Sequence, residues 1–201
     1  MSESNFSENF KTPLNPESWV DQHGDYLFSF ALFRVRDRPA AEDLVQETFI
    51  AALQNHKNYK GQASERTWLT AILKNKIIDY LRKQSREQPT DDIERFLNMS
   101  EGLFNAAGKW VNGPGKWSFA PSILYDKKEF WQALRRCLEL LPKRLAQAFV
   151  LKEMDGMSHQ EICKVLEISP SNSWVVLYRA RMGLKKCLGT SWFDREEATV
   201  G

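Results

Sequence analysis

The chain reads as all-α: two small helical domains joined by a long irregular linker. Three observations predict this. Apolar residues recur at the helical period of 3.6 along most of the sequence, and strand-like alternation is almost absent. That periodicity breaks between residues 88 and 125, where Gly102, Gly108, Gly113, Pro114, Gly115 and Pro121 interrupt it. The net charge of +2 conceals a division along the chain: residues 1–55 carry 4 basic and 9 acidic side chains, residues 56–87 carry 8 and 3, and residues 128–188 carry 11 and 6.

The first domain spans 18–87, behind a flexible N-terminal tail at 1–17. Residues 19–36 place Val20, Leu27, Phe30, Ala31 and Phe33 along one helix surface. Asp37 caps a second helix, with Pro39 in its first turn, where the missing N–H costs nothing. That helix, 39–55, is expected to bury Leu44, Phe49, Ala52 and Leu53 or their near neighbours. A turn at Lys60-Gly61 leads into a third helix, 64–86, whose stripe is Trp68, Leu69, Ile72, Leu73, Ile77 and Leu81 and whose last turns are basic. The linker, 88–125, is longer than a compact domain tolerates. Phe96, Leu97, Leu103, Phe104, Trp110, Trp117 and Phe119 punctuate it, so it is expected to dock on something.

The second domain spans 126–188, followed by a tail at 189–201. A helix over 127–140 stops at Leu141-Pro142, because proline disfavours a helical predecessor. A second helix, 142–154, ends at Asp155-Gly156, a C-cap signature. Ser158 and Glu161 then form a capping box, and the short helix after it turns Ile162, Val165 and Leu166 inward. Glu167-Ile168-Ser169 makes a tight turn with Ile168 facing in, Ser169 caps the next helix, and Pro170 opens it. Two short helices joined this way, the second running to 188 and basic toward its end, predict a helix-turn-helix.

Composition excludes several classes. With 42% hydrophobic and 27% charged residues the chain has enough apolar material for two modest cores. No apolar run reaches the roughly 20 residues of a membrane span, and the polar, acidic N-terminus does not resemble a secretory signal. A cytoplasmic location is expected. In that reducing compartment Cys137, Cys163 and Cys187 are expected to be small buried thiols. His159 and Cys163 lie one helical turn apart, but two candidate ligands without a second pair do not make a metal site. No Gly-rich phosphate loop and no nucleophile–His–acid set is present, so neither cofactor nor enzymatic activity is expected. Two basic blocks with acidic flanks predict two contacts with a polyanion.

Residues 155–188, DGMSHQEICKVLEISPSNSWVVLYRARMGLKKCL, resemble the C-terminal promoter-binding domain of extracytoplasmic-function (ECF) sigma factors of the sigma-70 family. The matching residues include Gly156, Ser158, Glu161, Ile162, Leu166, Ile168, Ser169, Leu177, Arg179, Ala180, Arg181 and Leu184. Residues 40–53, AAEDLVQETFIAAL, are similar to that family's polymerase-binding helix, and residues 59–83 to its segment for reading and melting the −10 element. The three motifs stand in the family's order. The resemblance implies a sigma factor that binds core RNA polymerase and directs promoter-specific initiation at −10 and −35 elements. It implies a grip on the β′ coiled coil through Asp43, Gln46 and Glu47, with apolar contact from Leu44 and Ile50. It implies −10 contacts from the loop residues Tyr59, Lys60, Gly61 and Gln62. Phosphate contacts would come from Lys74, Lys76, Arg82, Lys83 and Arg86, and base-edge hydrogen bonds from Asn75 and Asp79. Trp68, a conceivable stacking platform, reads as core. For the −35 duplex it implies Ser169, Ser171, Asn172, Trp174, Val175, Arg179, Arg181 and Lys185. The linker would run through the polymerase toward the RNA exit path, and an anti-sigma factor is an expected partner.

The recognition helix departs from the family's pattern. Where the family shows an apolar knob followed by cations, this chain has Ser173, Trp174, Val175 and Val176. Either Trp174 replaces the knob and is partly buried, or it meets thymine methyls in the major groove; burial is the expectation. The rival function is a two-domain regulator that binds DNA without polymerase. It leaves the acidic helix unexplained.

Overall fold

A computed structural model describes residues 14–87 and 128–189. The expected linker and most of both tails lie outside the described residues. The chain divides into two compact units, Met1–Tyr80 and Leu81–Gly201, so the division falls within the third helix. Helices account for nearly all of the described residues, and no strand occurs among them.

In the first unit, α1 (Trp19–Val35) and α2 (Arg38–Asn55) form a packed hairpin, and α3 (Glu65–Glu87) follows. The bend between α1 and α2 is built by two neighbours. Arg36 takes the left-handed conformation (φ 54°) and ends α1, and the Asp37 carboxylate accepts the Ala40 N–H at 3.1 Å to start α2. Buried positions repeat every four residues: Trp19, His23, Leu27, Ala31 and Val35 on α1, and Leu69, Leu73, Ile77 and Leu81 on α3. Leu27 and Ala31 lie in the core as expected, Phe30 and Phe33 are only half-buried, and Val20 is corrected: it is 63% exposed and Trp19 is buried in its stead. On α2 the core side is Ala41, Leu44, Val45, Thr48 and Ala52, and Leu53 faces out, against expectation. Thr48 satisfies its hydroxyl within the helix, donating to the Leu44 carbonyl at 2.7 Å.

The second unit contains α4 (Lys128–Glu139), α5 (Lys143–Phe149) running into a π-helical turn (Val150–Met154), α6 (His159–Leu166) and α7 (Pro170–Leu188). Helix α7 is central and packs against the other three. Its Gly183 lies close against Leu141, whose Cδ2 a Cβ at that position would overlap. Gly156, at φ 69°, supplies the left-handed turn after the π-helical segment. Of the three expected thiols only Cys163 is free; Cys137 and Cys187 are joined by a disulfide between α4 and α7, with Cα atoms 5.7 Å apart. The sequence carried no signal for this pairing, because 50 positions separate the two and only helix packing brings them together.

Candidate nucleic-acid and partner interfaces

The first candidate surface is one face of α2. Helical spacing aligns Asp43, Gln46, Glu47, Ile50 and Leu53, and all five are exposed, Ile50 by 54%. Leu44, expected on this surface, is buried instead; it lies on the core side and supports the helix from beneath. Glu47 Oε2 accepts from Lys76 Nζ on α3 at 2.9 Å. Two residues expected at separate sites therefore meet, and Lys76 spends its charge on Glu47.

The second candidate surface is the loop before α3 and the exposed side of that helix. Gly61 turns the loop at φ 70°, and the Tyr59 hydroxyl donates to the Ala63 carbonyl. The Tyr59 ring lies 5.2 Å from Trp68, and Trp68 makes an edge contact with Trp19 at 5.9 Å. Trp68 is thus half-buried at the base of the loop, the middle ring of three, while Trp19 is the fully buried one. Glu65 anchors this row. Its Oε1 accepts from Trp19 Nε1 at 2.9 Å and from the Asn15 N–H at 2.7 Å, and His23 Nε2 stands 3.6 Å from Oε2. Burial alone would raise its pKa, but these donors hold the carboxyl below the usual carboxylate range. Lys60 is exposed in the loop; along α3, Lys74, Asn75, Asp79, Lys83 and Arg86 are exposed and Arg82 is half-buried. Lys74 Nζ lies 5.9 Å from the Phe30 ring, and Lys83 Nζ lies 3.9 Å from Glu87.

The third candidate surface is the helix-turn-helix. Its capping box forms as expected: Ser158 Oγ accepts the Glu161 N–H at 3.3 Å, and Glu161 Oε2 accepts the Ser158 N–H at 2.7 Å. Glu167 turns the chain at φ 50°, and Ser169 Oγ accepts the Asn172 N–H at 3.2 Å to cap α7. Ser171 and Asn172 are exposed on the first turn, with the Ser171 and Ser169 hydroxyls 3.0 Å apart. The expected burial of Trp174 is corrected: it is 61% exposed, and Ser173 is the residue that is fully buried. Ser173 tolerates burial because its hydroxyl lies 3.2 Å from His159 Nδ1, at the start of α6. The His159 ring stacks on the Trp174 indole with centroids 3.8 Å apart and planes 23° apart. Desolvation, with like charge from Lys152 and Arg181, lowers the pKa of His159 and favours the neutral ring.

The expected cations of α7 divide further. Arg181 is committed to Glu153, Nη2 to Oε1 at 2.6 Å, and Arg179 has Nε and Nη1 shielded from solvent. Val175 and Lys185 are half-buried.

Known protein families match both halves of the chain. Residues 19–87 match Sigma-70 region 2, and residues 131–184 match Sigma-70, region 4. A "Probable RNA polymerase sigma factor" of Haemophilus influenzae is 38% identical over 168 residues, which cover 81% of this chain and 84% of that one. The "ECF RNA polymerase sigma-E factor" of Escherichia coli K12 is 30% identical over 139 residues, 69% of each chain. This chain belongs to the ECF sigma factors. As a sigma factor it binds core RNA polymerase and directs promoter-specific initiation of transcription. A similar solved structure is the sigma factor RpoE of Bartonella quintana in complex with the anti-sigma factor NepR. It is 20% identical, with a TM-score of 0.41, and covers 87% of this chain and 97% of that one. No helix among the described residues is long and apolar enough to cross a membrane.

The residue that sequence reading of this sigma factor missed is His159, weighed only as half of a metal pair. A usable signal did exist. His159 follows the cap of the first helix, and Trp174 lies just beyond the first turn of the second. Packing of α6 on α7 brings such positions together.

Proposed function

We propose that this sigma factor docks on the β′ coiled coil of core polymerase through Asp43, Gln46, Glu47, Ile50 and Leu53. The observation that carries this is the exposed α2 face itself. Large apolar side chains left in water beside carboxylates, on a helix whose other side is packed, suit a partner that is apolar and basic. The loop at 59–62 and α3 take the −10 element. Lys74, Arg82, Lys83 and Arg86 contact phosphates, and Asn75 and Asp79 reach base edges. The first turns of α7 enter the major groove at −35. The protein works by binding alone, in the cytoplasm, with no covalent chemistry. An anti-sigma factor that covers one or both DNA-binding surfaces holds it inactive.

Transcription with purified core polymerase on a promoter library tests the reading. Initiation from a discrete promoter set should require this protein, and the isolated protein should bind those promoters weakly. Tight promoter binding without polymerase would instead make it an independent regulator.

A further inference from the structure

An exposed tryptophan carries no meaning by itself, since single apolar residues are common on protein surfaces. Trp174 differs in how it is held. One face of its indole stacks on His159 at 3.8 Å, and the His159 ring is oriented in turn by Nδ1 against the buried Ser173 hydroxyl at 3.2 Å. Burying a hydroxyl costs free energy unless it is paired. Here the pair bridges both helices of the motif and fixes the orientation of one side chain that stays in solvent. Ser173 and Trp174 of α7 and His159 of α6 therefore act as a set. Ser173 replaces an apolar knob, His159 satisfies it, and Trp174 is displayed.

The site of display is informative. Trp174 follows Ser171 and Asn172, all exposed, in the first turns of the second helix of the helix-turn-helix, the part that meets base edges in the major groove. Residues 170–176 of these turns contain no charged side chain, so charge is not what they offer. The major groove presents one apolar feature, the C5-methyl group of thymine. We propose that Trp174 is a specificity-determining residue that reads a thymine methyl in the −35 duplex, with His159 as the positioning residue that holds its indole.

This rests on the sigma-factor reading, in which α7 faces the −35 element. The test uses holoenzyme, formed from core polymerase and the full chain, on duplexes randomised at −35. The wild-type holoenzyme should select at least one thymine in the −35 element, and Trp174→Ala should lose that preference with core binding and circular dichroism unchanged. Replacing that thymine by deoxyuridine removes only the methyl. It should weaken wild-type binding about fourfold, the weight of one methyl-sized apolar group, and leave Trp174→Ala binding unaffected. His159→Ala should reduce the thymine-to-uracil ratio toward one at an unchanged salt slope, and His159→Phe, which keeps a stacking ring, should restore it. A wild-type ratio of one at every selected thymine overturns the proposal without any variant and leaves the sigma reading intact. So does a Trp174→Ala selection identical to wild type, or a Trp174→Ala defect confined to binding a protein partner. Absence of any −35 selection by the wild-type holoenzyme overturns both readings together.

Discussion

The two candidate surfaces on α2 and α7 differ in what creates them. On α2 a single helix sets the spacing of Asp43, Gln46, Glu47, Ile50 and Leu53, and these side chains stand exposed with one lateral tie, Glu47 to Lys76. On α7 the surface results from partners on other elements: His159 on α6, Glu153 in the π-helical turn, and Cys137 on α4. A surface made by one helix follows from the periodicity of that helix. A surface made by pairings between helices depends on packing, and neighbours along the chain do not disclose it.

The largest expected effect falls on the second unit alone. Closing a loop of this length by a disulfide contributes about 4 kcal/mol in the chain-entropy account. Reduction by dithiothreitol should therefore speed hydrogen exchange in α4 and α7 and leave α1 and α2 unchanged. Equal protection before and after reduction would show that packing alone holds α7, which breaks the contrast.

Next in size is Asp43→Arg, at a site with no core role. Reversing a charge on a docking face should weaken association with core polymerase about 30-fold or more, with circular dichroism unchanged; co-purification with β′ reads it. Glu47→Arg is less clean, since it also sets a like charge against Lys76.

A smaller effect separates α3 from both. Neutralising Arg82 and Lys83 together should reduce the salt slope of promoter binding by up to about 1.8, as two fewer phosphate contacts release fewer counterions. Filter binding of holoenzyme across a salt series measures it, and an unaltered slope removes these two residues from the −10 surface.

The smallest effect sharpens the view of the first unit. The Glu65 pKa is depressed in the folded chain, so its contribution is present above the ordinary carboxylate range and is lost as pH falls through the folded value. Stability should thus rise with pH through a window that closes near the unfolded value, about 4.3. Glu65→Gln should flatten that segment of an acid-unfolding curve, whereas an identical curve would mean that the Trp19–Asn15–His23 cluster does not depend on the charge.

Much of this protein is legible in its sequence. The Asp37 cap, the Ser158–Glu161 capping box, the Ser169 cap and the stop at Pro142 are local hydrogen-bond and steric rules, and each acts within a few residues. The stripe of α3 and the outward placement of Asp43, Gln46, Glu47 and Ile50 on α2 follow from helical period, because one helix turns its own side chains by a fixed angle, whereas Leu44 and Leu53 fall on the sides opposite to those expected. What tertiary structure decided is the fate of side chains whose partners lie far along the chain. It put Trp19 inside and Val20 outside, joined Cys137 to Cys187, paired Lys76 with Glu47, and buried Ser173 so that Trp174 is displayed. The reason is physical: a polar or aromatic residue at the edge of a helix stripe goes where a partner can satisfy it, and only packing determines which partner that is.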